Sequence, residues 1–187
     1  WAVRRFHERY VERVKEPPLA TALLGTRGKH DGWLDRAIAY HRAKVRQRMV
    51  TLYYDAELEN LLVLGCCNKT EKRIGFFVKY GDIAADVAPI ESLYKTQVRQ
   101  LGNFLGLPPR IINKAPSPDV LPGITDEYAI GMPYELLDRI LLRLERGLDS
   151  AAIATYLGVE TEQVEYVRGL VRRSEHMRSG PGVVDYR

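Results

Sequence analysis

Cysteine is scarce in this chain: Cys66 and Cys67 are the only two among 187 residues, and they are adjacent. Neighbouring cysteines rarely reach disulfide geometry, so a disulfide-stapled scaffold is excluded and a reducing cytoplasm is the expected setting. Long apolar runs are missing as well. The longest, such as residues 61–67, fall far short of the roughly 18–20 residues that a spanning helix needs, so no membrane span is expected. No charged-then-apolar leader opens the chain, and Trp1 stands first in place of Met, so an amino-terminal piece is expected to precede it. Internal repeats and low-complexity segments are absent too.

What is present suits one globular domain. Hydrophobic residues make up 45% of the chain and charged residues 28%, enough of each to bury a core and solvate a surface. The formal charge of +4 favours anionic partners, among them nucleic acids, dinucleotides and nucleoside triphosphates. Charge alone does not choose among these, and an ordinary solvated surface fits it equally well.

Apolar residues Leu34, Ile38, Val45, Met49 and Leu52 recur at helical steps or their multiples, predicting an amphipathic helix over 33–54 with one packed and one basic face. Residues 61–64 form a short apolar run closed by Gly65, which reads as a buried strand, followed by a turn and helix over 68–77. Helical spacing resumes over 93–105 and stops at Gly106, with Pro108 and Pro109 beyond. Pro116, Pro118, Pro122 and Gly123 mark a long loop, and the last third is helical over 134–146, 150–157 and 161–177, with Gly147 and Gly158 as breaks. One strong strand among many helices suggests part of an α/β domain whose other strands lie upstream.

Several segments could carry chemistry. Gly65-Cys66-Cys67-Asn68-Lys69-Thr70-Glu71 spans the passage from strand to helix, the place where open α/β sheets bind ligands. Asn68 and Glu71 are equally spaced as a capping box, which needs no ligand. Lys79 and Asp86 are unlike charges among apolar neighbours, able to hold a phosphate and a ribose hydroxyl or simply each other. Arg42 with Arg46, and Lys44 with Arg48, lie four apart and form two cation rows that could meet a pyrophosphate or plain solvent.

Taken in order, Lys44-Val45-Arg46-Gln47-Arg48-Met49, the 65–71 segment and the Lys79 and Asp86 segment resemble the successive signatures of NAD synthases. Tyr94-Lys95-Thr96, Lys114-Ala115-Pro116-Ser117-Pro118-Asp119, Thr125-Asp126-Glu127 and Ser174-Glu175-His176-Met177-Arg178 continue the series. Any one of these is weak, but the ordered set over residues 40–180 is strong, leaving 1–39 unassigned within a single partial domain of residues 1–187. The resemblance implies an α/β, Rossmann-like fold of the adenine-nucleotide alpha-hydrolase type, here its helix-rich carboxy-terminal portion. It implies a cytoplasmic homodimeric ligase in which the nicotinate carboxylate of deamido-NAD attacks the α-phosphate of ATP and ammonia then displaces AMP. By the family pattern, Cys66, Lys95 and Ser117 would touch ATP, Glu71 would help hold Mg2+, and Arg46, Lys79, Asp86 and His176 would touch deamido-NAD. No catalytic residue is singled out. The residue types suit these roles: a hard cation takes a carboxylate oxygen, and a pyrophosphate takes arginine and lysine.

The departures matter equally. Position 66 is Cys where the family commonly has Thr, position 177 is Met where Lys is usual, and Ile83-Ala84 replace a common Gly-Gly pair. The Ser-Gly-Gly-x-Asp-Ser loop that cradles the ATP pyrophosphate in these enzymes is not in the 187 residues, which points to a segment of a longer enzyme or to an inactive ligand-binding or scaffold descendant. A rival reading takes Ala151 to Val164, turning at Gly158, as a DNA-binding helix-turn-helix. Glu160, Glu162 and Glu165 at the start of its second helix would meet phosphates with like charge, which argues against nucleic acid.

Overall fold

The computed structural model describes residues 32–118 and 125–182, with the side chains at 33, 34 and 37 outside the description. Helices dominate: α1 (Gly32–Glu59), α2 (Lys69–Ile74), α3 (Lys95–Phe104), α4 (Pro109–Ile112), α5 (Asp126–Ile130), α6 (Tyr134–Glu145), α7 (Ser150–Leu157), α8 (Thr161–Arg173) and α9 (Glu175–Arg178).

The core gathers around α6. Tyr134, Leu137, Ile140 and Leu141 fall on one helical face and are wholly buried, against Ile153 of α7, Val164 and Val167 of α8, and Ile74 at the end of α2. The joints are local. Asp149 caps α7 by accepting from the Ala152 N–H at 2.8 Å, and Gly158 ends it in the left-handed region. The helix-turn-helix pattern is therefore the inner wall of the core, with the buried face of α8 turned to α6 and α2.

The turn after α2 needs glycine. Gly75 has φ +79°, and a Cβ there would sit 2.2 Å from the Ser174 Cβ. This approach lets the chain just after α8 close on α2, where the Ser174 hydroxyl donates to the Leu170 and Arg73 carbonyls.

Four expectations are corrected. The run 61–64 is not a buried strand: it makes a single parallel bridge, Leu64 with Val87, and Leu61, Leu62 and Leu64 are about two-thirds exposed while Val63 alone is buried. A strand is buried only when others cover its faces and edges, and among the described residues none does. In α1, Ile38 and Val45 are buried and Met49 half-buried, but Leu52 is exposed. Val45 packs on Val78, and farther along the helix Ala56 is buried while Leu52 stays outside the packed stripe. The helix also runs on to Glu59, beyond the expected end at 54, while the 161–177 helix breaks at Ser174 between α8 and α9.

Candidate functional site

Two cavities meet where the chain leaves the Leu64 bridge and enters α2. The larger, about 620 Å³, lies between the 65–71 segment, α3, α4 and the 114–117 loop. Val98, Leu107, Ile111 and Ile112 form an apolar arm, and Lys95, Arg99 and Lys114 bring positive charge. The smaller, about 260 Å³, lies between α1 and the 76–78 segment, with His41, Arg42 and Arg48 facing Phe76 and Phe77. Cys66, Glu71, Asp82, Ser117 and Asp126 line both and form their seam.

The start of α2 is built by a capping box. The Asn68 Oδ1 accepts from the Glu71 N–H and the Glu71 Oε2 accepts from the Asn68 N–H, each at 3.1 Å. Capping takes one carboxylate oxygen of Glu71, while the other lies 3.4 Å from the Lys95 Nζ. The cap therefore leaves the second oxygen of Glu71 beside Lys95 at the cavity wall.

Lys95 is positioned from below. Its backbone N–H donates to Thr70 Oγ1 at 2.9 Å, Thr70 donates to Asp138 Oδ1 at 2.5 Å, and the other Asp138 oxygen accepts from the Thr96 N–H at 2.8 Å. Asp138 of α6 therefore caps α3 from a distance, and both Thr70 and Asp138 are buried. The Lys95 ammonium also lies over the Tyr134 ring, 5.3 Å from its centre.

Burial pushes the Asp82 carboxyl up to about 6, with Glu71 adding and the hydrogen bond from the Val78 N–H opposing. Burial also pushes the His41 imidazole down to about 4, helped by Lys44 and Arg42, so it is neutral at physiological pH. Its Nδ1 is buried without a hydrogen-bond partner.

Cys66, Lys95 and Ser117, the expected ATP contacts, all line the larger cavity, together with Glu71. The expected deamido-NAD contacts behave differently, since none of the four lines either cavity. Arg46, Lys79 and His176 do come together, through backbone oxygens: Arg46 Nε donates to the Lys79 carbonyl at 3.2 Å, and Lys79 Nζ donates to the carbonyls of His176 (3.1 Å) and Ser179 (2.7 Å). Asp86 stands apart, accepting from the Val63 N–H at 2.8 Å and the Tyr53 hydroxyl at 3.4 Å, and it does not pair with Lys79. Of the two cation rows, one member of each, Arg42 and Arg48, faces the smaller cavity.

Sequence reasoning missed the site roles of His41 and Asp138, and Thr70, Asp82 and Asp126 entered only as members of longer segments. No local pattern marks them, because their roles come from burial and from partners as many as 68 residues away. The departures at 83 and 177 prove to be one feature. Met177 is buried with Cys67 and Phe77, and Ile83 packs on that cluster, so apolar packing holds α9 to the site.

A capped helix beginning beside a parallel bridge, with two cavities meeting at that turn, is the layout of an α/β-type ligand-binding domain, represented here by its helix-rich part. The NAD synthase family pattern matches residues 18–181. The NH(3)-dependent NAD(+) synthetase of Coprothermobacter proteolyticus is 50% identical over 145 residues, covering 78% of this chain and 49% of that protein. The one from Thermococcus kodakarensis is 48% identical over 137 residues, covering 73% and 54%. Among solved structures, NMN synthetase from Francisella tularensis superposes with TM-score 0.67 at 33% identity, covering 80% of this chain and 57% of its own. The chain belongs to the NAD synthase family, and it spans about half the length of the curated relatives it matches.

Proposed function

We propose that this chain is the carboxy-terminal part of an ammonia-adding synthase domain that turns deamido-NAD into NAD at the expense of ATP. The observation that carries the reading is the larger cavity, which gathers Cys66, Glu71, Lys95 and Ser117 from three separate segments. Its apolar arm suits a purine and its lysines suit phosphates. A free carboxylate is a poor acyl donor, so the nicotinate carboxylate would first attack the ATP α-phosphate, releasing pyrophosphate, and ammonia would then displace AMP. The seam shared by both cavities is where two such substrates would meet.

Within this reading Cys66, Lys95 and Ser117 contact ATP. Arg46, Lys79 and His176 contact deamido-NAD only after Lys79 gives up its carbonyl partners, Asp86 contacts it from its separate place, and Arg42, Arg48 and His41 are additional candidates. Magnesium fits modestly. Among the described residues no cluster of three or more acidic, histidine or cysteine side chains is placed to hold a metal. Yet Mg2+ commonly takes one or two carboxylates plus phosphate oxygens and water, which the Glu71 oxygen beside Lys95 could supply. There the ion would offset phosphate charge. A homodimer is supported by Val50, Tyr54 and Leu58, an exposed apolar row on α1. No described helix is long and apolar enough to cross a membrane, and a cytoplasmic location is part of the proposal.

Calorimetric titration of the chain with ATP tests the reading. Lys95→Met should weaken binding markedly with and without magnesium, whereas Glu71→Gln, which keeps the cap, should weaken only the magnesium-dependent part. No ATP binding, or binding indifferent to Lys95, would refute it. Because the sequence lacks a Ser-Gly-Gly-x-Asp-Ser loop, the 187 residues alone should release no pyrophosphate. Deamido-NAD binding without turnover by a polypeptide that does carry that loop would select the alternative, an inactive ligand-binding relative. The similarity to an NMN synthetase makes nicotinate mononucleotide the competitor to include.

A further inference from the structure

The Lys79 ammonium is engaged by the protein itself. Two of its three donors go to backbone carbonyls, those of His176 at 3.1 Å and Ser179 at 2.7 Å, and the ammonium also lies over the Tyr80 ring, 5.4 Å from its centre. A phosphate that needs this cation must compete with both carbonyls.

The cation stands on a rigid turn. Val78, just before it, is buried against Val45, its N–H donates to Asp82 Oδ1 at 2.7 Å and its carbonyl accepts from the Gly81 N–H at 2.8 Å. The Lys79 carbonyl accepts from Arg46 Nε at 3.2 Å, and a Cβ on Gly81 would sit 3.0 Å from both Val45 and Val78. Tyr80 is held at φ +60°, a left-handed backbone that persists only where its surroundings enforce it.

The other half of the contact is held unevenly. Met177 pins α9 through Cys67 and Phe77, and Arg178 donates to the carbonyls of Arg73 at 2.7 Å and Val171 at 2.8 Å and to the Ser174 hydroxyl at 2.6 Å. Beyond Arg178 the hold weakens. Residues 179–182 are exposed; the Ser179 hydroxyl donates to the Glu175 carbonyl at 3.2 Å, and the Ser179 carbonyl is held by Lys79.

Charge decides which side yields. A carbonyl offers Lys79 a neutral acceptor, whereas a phosphate oxygen is itself ionised and makes the stronger bond. We propose that residues 176–182 form an autoinhibitory latch, in which Lys79 clasps the His176 and Ser179 carbonyls until the pyrophosphate of an anionic dinucleotide takes the cation and frees residues 179–182. The proposal rests on the synthetase reading above, which makes that dinucleotide deamido-NAD. Met177 and Arg178 keep α9 in place, so the release is confined to the stretch beyond them. Since only unlatched molecules bind, the latch lowers the apparent affinity in proportion to the unlatched fraction.

Relaxation of 15N at the Ser179 and Gly180 amides of the full chain reads the latch directly. Their mobility should rise as deamido-NAD saturates the site and stay unchanged with ATP, whose proposed cavity Lys79 does not line. Gly180→Pro supplies the opposite perturbation. Ser179 lies at φ −76° and ψ 146°, the conformation that a following proline favours, and a Cβ at 180 meets nothing within 4 Å, so the variant stiffens the latched form. Calorimetry should show it binding deamido-NAD about two- to fivefold more weakly than the parent, with ATP affinity equal. A stretch that stiffens or keeps still with deamido-NAD bound, equal release by ATP, or a Gly180→Pro affinity that is unchanged or tighter would overturn the latch and leave the synthetase reading standing. Binding of ATP but not of deamido-NAD by the parent chain would overturn the synthetase reading, and the latch with it.

Discussion

Removing the remote cap on α3 is the sharpest probe of how the site is held. In Asp138→Ala the Thr96 N–H and the Thr70 hydroxyl both lose their acceptor in a buried place, where each unsatisfied group costs roughly 1–3 kcal/mol. Part of this is recovered, because burial already holds the Asp138 carboxyl above its ordinary value and the ionised group is costly to keep. The expected net loss is about 3 kcal/mol. Urea unfolding followed by circular dichroism should show it as a lower midpoint with an unchanged slope. Thr70→Val removes the middle of the same chain, so the double variant should lose clearly less than the two singles together, with a coupling of about 1 kcal/mol or more. ATP affinity should fall in parallel, because the Lys95 backbone hangs on Thr70. Additive effects, a loss below about 1 kcal/mol, or unchanged ATP affinity would show that the network is incidental to the site.

Further expectations follow from other parts of the fold. Asp82 has its folded pKa raised from 3.8 to about 6, so its favourable linkage is full below the unfolded value and lost as pH rises through 6. Asp82→Asn should therefore stabilise the protein at pH 7 by about 2 kcal/mol, and thermal melts should show that gain vanishing by about pH 4. Gly75→Ala must carry both a left-handed alanine and the Ser174 collision, whereas Gly147→Ala, at φ +78° with nothing within 4 Å, carries only the first. Melting should place the former about 1–3 kcal/mol below the latter, and equal losses would mean that Ser174 moves away without cost. Lys79→Met removes two charge-assisted bonds to the chain at α9, so limited proteolysis should cut sooner after residue 173, with little change in ATP binding. Unchanged cleavage would leave Lys79 free for a ligand.

Much of the helical layout was legible in the sequence because it depends on nearby residues. The 3.6-residue spacing of Tyr134, Leu137 and Leu141 and the Gly106, Gly147 and Gly158 stops act within a few positions of one another. The Asn68 and Glu71 box was readable for the same reason. Ordered motifs also singled out Cys66, Lys95 and Ser117, and the structure gathers all three around one cavity.

Burial was not legible where it depends on what lies across space. The apolar composition of residues 61–64 says that this run is fit for a strand, but only neighbouring strands could bury it, and the described residues provide one bridge. The same limit hid Asp138 and Asp126. An aspartate in a helical stretch looks like surface until the fold sets it beneath Thr70 or against Tyr134, where the loss of water changes its proton affinity and its need for partners. Sequence by itself determined the longer helices, the Asn68 and Glu71 cap and the family, because those rest on local geometry and residue order. Tertiary structure alone decided that two cavities share a wall of carboxylates, that Lys79 is held by carbonyls about a hundred residues away, and that one oxygen of Asp126 is left without a donor.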